Sequence, residues 1–411
     1  MAEPMAAAAR RARERTMVAI MFATWGLVFL DRMSVLYLAP YIARDLGLSD
    51  AQVGLLAGAV AVSWAISALV FGAVSDRVGR KAILVPMVVV FSVVSAASGF
   101  ARDFRELLIL RVLLGLAEGP CWSVMMALVE ENSSPHRRGR NIGVVVSAAA
   151  VIGLAVAPVL MTQVAASFGW RDAFFVVAVP GLVLALLIAL VVEEAPTTPR
   201  TATMPARPRV AVFVRLLGYR NLWASALAAA GFMTWLFLIN AFGPLYITEV
   251  QHQSGTTAGF LMGAAGLGSF VLGLIAPAVS DRVGRRPVLA VCAALSVLLP
   301  LAMLAQPLYQ VLWLLAIVLF CTQAGQAISA ICIVLVPTES VPPGYAATAI
   351  GFATLFGELV GGFLAPLVGG NLAQRYGLEV PLWLAAAGAG VVLLAATAMR
   401  PPAVRLSHQV V

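Results

Sequence analysis

The sequence predicts an all-α membrane protein: twelve transmembrane helices in two six-helix bundles related by a pseudo-two-fold axis. Three observations carry this reading. Of the 411 residues, 61% are hydrophobic and only 11% are charged, against about 25% charged in a soluble domain. The apolar residues gather into twelve long runs, and a bilayer-spanning helix needs roughly 20 such residues. One octapeptide occurs twice: Ala73-Val-Ser-Asp76-Arg77-Val-Gly79-Arg80 returns letter for letter as Ala278-Val-Ser-Asp281-Arg282-Val-Gly284-Arg285. Identity at equivalent places argues for duplicated halves, and parallel halves around a midplane site are a transporter design.

In chain order the first six runs are Met17–Ala43, Val53–Ser75, Ala82–Phe100, Leu107–Val129, Ile142–Phe168 and Ala173–Val192. The second six are Leu222–Val250, Ala258–Ser280, Val288–Ala305, Val311–Pro337, Ala346–Ala373 and Pro381–Met399. Before the first run stand Arg10, Arg11, Arg13 and Arg15. A cleaved signal has a shorter apolar core and a small-residue cleavage site, so the first run reads as an uncleaved helix. Pro, Thr and Arg crowd the stretch 193–220, which reads as a cytoplasmic linker. The organisation is therefore a bundle at 1–192, the linker at 193–220 and a second bundle at 221–411.

An even number of spans puts both termini on one side of the membrane. The ends, the linker and the loops on that side hold 20 Lys and Arg; the opposite loops hold five, namely Arg44, Arg102, Arg105, Arg171 and Arg375. The excess of loop cations on the cytoplasmic face then places both termini in the cytoplasm. The net charge of +8 thus belongs to membrane topology, and no nucleic-acid partner is expected. Cys121, Cys292, Cys321 and Cys332 sit in apolar runs without a CxxC pair, so they read as small buried hydrophobes. His136, His252 and His408 fall in loops or the tail. No metal site, cofactor, phosphate loop or nucleophile–base pair is visible, so no enzymatic activity is expected. The expected partners are the lipid bilayer and a small molecule, with the protein as a monomer.

The fourth run holds Arg111-Val-Leu-Leu-Gly115-Leu-Ala-Glu118-Gly-Pro120. Each ionised residue inside a span costs about 2.5–3.5 kcal/mol on insertion scales. Seven residues put Arg111 and Glu118 on one helix face, about 10 Å apart along the axis. Gly115 lies between them and is expected to leave open space. A cation, a gap and a titratable carboxylate on one stripe have the makings of a coupled anion site. The first run holds Asp31 and Arg32, about 100° apart on a helix. They are not each other's partners. Arg32 can meet a substrate carboxylate, while Asp31 can meet Arg111 or stay within the bundle.

The repeated Ser-Asp-Arg-Val-Gly-Arg segment resembles the signature loop of the major facilitator superfamily, found between its second and third helices and again between the eighth and ninth. The resemblance covers the whole chain and implies the fold of that superfamily. Gly79 and Gly284 allow a tight turn. Asp76, Arg77 and Arg80, with Asp281, Arg282 and Arg285, form networks on neighbouring helix ends. Glu130 or Glu131 is the expected partner of Arg80, and Glu339 that of Arg285. These networks are expected to favour the outward-open state and to break on switching.

Asp31-Arg32 in the first span together with Arg111-x-x-x-Gly-x-x-Glu118-Gly resembles the anion:cation symporters of that superfamily, which carry hexuronates, galactonate and other organic anions. The resemblance implies proton-coupled symport of a small organic anion, a carboxylate or sugar acid, across a bacterial-type inner membrane by alternating access. It implies Arg32 for the anion, and Asp31, Arg111 and Glu118 for proton coupling. Protons are then the coupling ion. The same charged pairs are similar to those of spinster-like lipid carriers, which remain an alternative, as does drug:proton antiport.

The second half lacks matching charges. The repeat offset lands Asp31 and Arg32 on Leu236 and Phe237, and aligning Glu131 with Glu339 puts Gln326 opposite Glu118. Trp235, Asn240, Gln323 and Gln326 are the uncharged candidates there for substrate hydroxyls or a ring. Tyr37, Trp64 and Trp122 are aromatic candidates in the first half. Glu358, among Gly357, Gly361 and Gly362, is either a second titratable site or a residue facing polar cavity water near the cytoplasmic end.

Overall fold

A computed structural model describes residues 2–192, 218–341 and 345–399 of the protein. The linker read between the halves lies almost wholly outside the described residues, as does the segment after 399. Among the described residues there are 12 helices long and apolar enough to cross a membrane. They are α1 (Arg11–Tyr37), α2 (Asp50–Ala68, its helix running on to Val78), α3 (Arg80–Ser98), α4 (Phe104–Asn132), α5 (Arg138–Phe168) and α6 (Trp170–Val191). The second set is α7 (Arg220–Val250), α8 (Gly255–Val283), α9 (Arg285–Leu304), α10 (Leu312–Ser340), α11 (Thr348–Tyr376) and α12 (Glu379–Ala398).

Local chemistry sets the helix ends. Ser49 caps α2 reciprocally: its hydroxyl accepts from the Gln52 backbone N–H, and the Gln52 side chain accepts from the Ser49 N–H. Asp103 caps α4 and Ser254 caps α8 in the same way through one bond each. Such caps satisfy N–H groups that a helix start leaves without an intrahelical acceptor. The run expected at Met17–Ala43 divides at Leu38, and a short helix Ala39–Leu46 follows. Pro40 explains the division, since proline suits the first turn of a helix and not its interior.

Among the described residues, four stretches adopt the wider π-helical winding: Ala149–Val156, Tyr246–Val250, Ala330–Leu335 and Gly357–Leu364. Three of them end two residues before a proline, at Pro158, Pro337 and Pro366. Proline removes one N–H and its ring pushes away the carbonyl four residues back. The ladder then slips to the longer bond, which bulges the helix. α10 is also interrupted outright at Gln323–Ala324. There Gln323 Oε1 accepts from the Gly325 backbone N–H at 2.8 Å, within the same break.

The halves meet through α2 on α11 and α5 on α8, with α1 against α7. Close approach is made by small residues, the usual means of packing helices in a bilayer. A side chain at Gly54 would meet the Pro366 carbonyl, and one at Gly259 would meet Thr162. These contacts lie toward the loops opposite the termini. Toward the termini the halves part: residues 138–148 of α5 pack on α1 and α4, and residues 346–356 of α11 pack on α7 and α10. Among the described residues, the contacts between the halves gather on the face opposite the termini.

Candidate functional site

Arg32 sits where the halves meet and is 6% exposed. Its Nη2 lies 2.6 Å from Glu358 Oε2, so α1 of the first half is tied to α11 of the second by a buried ion pair. The guanidinium lies between two rings, 5.3 Å from the centroid of Trp64 and 5.1 Å from that of Phe237. Phe237 is the repeat counterpart of Arg32 itself. Among the described residues, no side chain or backbone atom accepts from Arg32 Nε or from the neighbouring Trp64 Nε1, and both are buried. Of the two sequence readings of Glu358, neither names Arg32. The π-helical stretch and its glycines bring Glu358 there: its Oε2 would lie 2.7 Å from a side-chain carbon placed at Gly362.

Asp31 points the other way, as its 100° separation from Arg32 requires. Its Oδ1 accepts from the Ser95 hydroxyl of α3 at 3.0 Å. Arg111 Nη2 donates to Ser98 of α3 at 2.8 Å, and its guanidinium stacks 5.3 Å from the Phe174 ring of α6. Asp31 and Arg111 lie within Coulombic range of each other. Glu118 is fully buried, and neither of its oxygens accepts a hydrogen bond from a described residue. Asp31, Arg32 and Arg111 all act on it electrostatically. The interior therefore holds two guanidiniums and three carboxylates in one connected group. Gly115 leaves no gap between Arg111 and Glu118, contrary to expectation: α2 fills it, with Ser63 and the Val60 carbonyl where a side chain would stand. The glycine serves close packing of α2 on α4.

Of the uncharged candidates, Asn240 is the one whose side chain bonds across the halves: Tyr37 donates its hydroxyl to Asn240 Oδ1 at 2.8 Å. Trp235 is a packing residue of the second half, its indole N–H donated to the Ser296 carbonyl at 2.8 Å. Gln323 is spent on the α10 break, and the Gln326 side chain lies against Gly273 of α8. Trp122 packs tilted against Trp25, with ring centroids 4.7 Å apart, beside Phe29 of the same cluster. Sequence reasoning missed Ser95 and Ser98. Their signal is the stripe Ser92-x-x-Ser95-x-x-Ser98 along one face of α3.

On the terminus face Gly79 and Gly284 adopt positive φ, 102° and 105°, a conformation that side chains rarely take. Arg80 reaches Glu131 rather than Glu130, at 3.3 Å, and donates to Ser75 at 2.7 Å. Arg285 pairs with Glu339 at 2.7 Å and Asp281 at 2.6 Å, and donates to Ser280 at 2.6 Å. Arg77 and Arg282 are exposed, and the Asp76 side chain lies outside the described residues. Each arginine–glutamate pair lies within one half, Arg80–Glu131 in the first and Arg285–Glu339 in the second. Arg285→Ala should cost about 1.5–3 kcal/mol of stability, the usual worth of a hydrogen bond to a charged group. Thermal denaturation of the purified variant would measure this. Spin-label distances between the halves should stay as in the wild type.

Buried charges at the meeting of two six-helix halves mark the candidate site. The sequence profile of the Major Facilitator Superfamily matches residues 20–366 and 256–409, and the chain belongs to that superfamily. It is an integral membrane protein. It is 32% identical over 283 residues to a probable 4-methylmuconolactone transporter of Cupriavidus pinatubonensis, covering 66% of this chain and 65% of that one. The match thus spans just under two thirds of that relative. It is 26% identical to a probable sulfoacetate transporter of Cupriavidus necator, covering 95% of each. The fold is similar to that of a bacterial homolog of the human lysosomal transporter Spinster, crystallised inward-facing and unoccupied: TM-score 0.74, 18% identity, 94% of this chain and 97% of that one.

Proposed function

We propose that the protein moves a small organic anion together with a proton by alternating access, in a bacterial-type inner membrane with both termini in the cytoplasm. The observation that supports this best is the state of Arg32. It is buried between the halves, and its Nε and the adjacent Trp64 Nε1 are donors without an acceptor among the described residues. A carboxylate offers two acceptor oxygens to such a pair. The electrostatics favour a proton as companion. The buried group of two guanidiniums and three carboxylates tolerates little added charge, because an uncompensated ion in a dry interior costs several kcal/mol. A monoanion plus a proton is a neutral cargo and leaves the interior charge unchanged. Glu118 is the carboxylate to take that proton. Asp31 has Ser95 and Glu358 has Arg32 as direct partners, and Glu118 has none among the described residues.

Relatives named for organic acids agree with this reading. Proteoliposomes with an acid exterior should accumulate a labelled organic acid such as glucuronate, galactonate or sulfoacetate above its outside concentration. A protonophore should collapse the accumulation. Uptake indifferent to the proton gradient for every acid transported would sink the proposal.

A further inference from the structure

The anion anchor of this carrier is already occupied by a carboxylate of its own. Arg32 and Glu358 come from different halves, 326 residues apart, and meet at 2.6 Å with side chains 5% and 3% exposed. Nothing in a rigid bundle requires this pair. Replacing a buried ion pair by apolar residues of similar volume is often neutral or stabilising. Room for it has been kept: a side chain at Gly362 would strike Glu358 Oε2 and Ala61. Among the described residues, the elements around Glu358 offer it no second cation. At its level α2 presents Trp64 and Ala61, and α7 presents Phe237. The charged residues of these helices stand toward their ends: Asp50, Asp76 and Arg77 in α2, Arg220 and Glu249 in α7.

We propose that Glu358 is an internal stand-in for the substrate carboxylate. It holds Arg32 when the carrier is empty and yields it when an anion binds. This rests on the reading of Arg32 as the anion anchor. A carrier that has released its anion must return through a state sealed from water on both sides. An unpaired buried arginine would obstruct that stroke, and Glu358 removes the obstruction. Because the two residues belong to different halves, their contact depends on how the halves are disposed. On the side where the anion leaves, Glu358 competes with it and lowers its affinity there. While the anion holds Arg32, the displaced carboxylate must be solvated from the side on which the anion enters. No bond is made or broken in the exchange, and no proton need move to or from Glu358.

Glu358→Gln removes the competing charge and little volume. In purified protein, calorimetric titration with glucuronate, galactonate and sulfoacetate should give a dissociation constant at least tenfold lower for Glu358→Gln than for the wild type. In proteoliposomes, exchange of labelled for unlabelled anion should persist in Glu358→Gln. Net uptake, which requires the empty return, should fall at least tenfold. A residue that merely supported the fold would lose both together. A second measurement needs no ligand. Thermal stabilities of Arg32→Gln, Glu358→Gln and the double variant form a cycle, and the double variant should be more stable than the sum of the single losses predicts. Weaker anion binding by Glu358→Gln, or net uptake and exchange falling in parallel, overturns the proposal. Additive stabilities overturn the pairing itself while leaving the anion reading intact. If none of the acids binds wild type or variant, while the cycle still shows coupling, the anion reading has failed and the stand-in role falls with it.

Discussion

Arg32→Ala should reduce affinity for a transported organic anion at least a hundredfold. Charge-assisted hydrogen bonds contribute about 1.5–3 kcal/mol each, and every 1.4 kcal/mol is about tenfold in affinity. Two such bonds, from guanidinium to carboxylate, account for that loss. Two side effects need separating. The variant leaves Glu358 buried without its partner, and breaking a buried pair from one side costs about 3–5 kcal/mol. The binding test is therefore made in the Glu358→Gln background as well, where no orphaned charge remains. Lysine at position 32 should rescue partly. It keeps the positive charge and can face Glu358, but it lacks the planar fork that meets a carboxylate twice. It also lacks the flat face that lies between Trp64 and Phe237. Near-normal binding by Arg32→Ala in both backgrounds would remove Arg32 from the site.

Much of the architecture was legible in the sequence because a bilayer enforces it. Backbone polar groups must be satisfied within the span, so long apolar runs have to be helices. The exact repeat of Ala73–Arg80 at Ala278–Arg285 then exposed the duplication. The charged members of the site were legible for the same reason, since charge inside a span is costly enough to demand a role. What one half contributes to the other was not legible. Arg32 and Glu358 are brought together by the tertiary arrangement of α1 and α11, and no spacing rule connects positions 32 and 358. The bond that Gln323 makes was not legible for a related reason. Gln323 is needed at a break in α10 that the apolar run Val311–Pro337 does not betray, because Gly325 there looks like any other packing glycine. Gly115 illustrates the ambiguity of that residue type. A missing side chain reads equally as empty space or as room for a neighbour, and only the position of α2 decides between them.

Glu118→Gln should separate substrate exchange from proton-driven accumulation. The amide is close to isosteric with a protonated carboxyl, so the variant imitates Glu118 with its proton permanently in place. Burial of the side chain is complete and neither oxygen accepts a hydrogen bond from the described residues. The substitution therefore breaks no bond that the structure contains, and folding should be preserved. Anion binding should also be preserved, because Arg32, Trp64 and Phe237 are untouched. Coupling should fail. In the proposed cycle the anion and the proton cross together because each raises the other's affinity by the same factor. A site that cannot release its proton cannot return that energy to the substrate. Counterflow requires only the loaded states and should proceed at near wild-type rate, whereas accumulation driven by a proton gradient should drop to the level of passive equilibration. Both are measured in one preparation of proteoliposomes loaded with unlabelled substrate. If Glu118→Gln still concentrates the anion when only a proton gradient is supplied, the proton travels elsewhere. Asp31 is then the next carboxylate to test: its Oδ2 has no partner among the described residues, and Arg111 acts on it electrostatically.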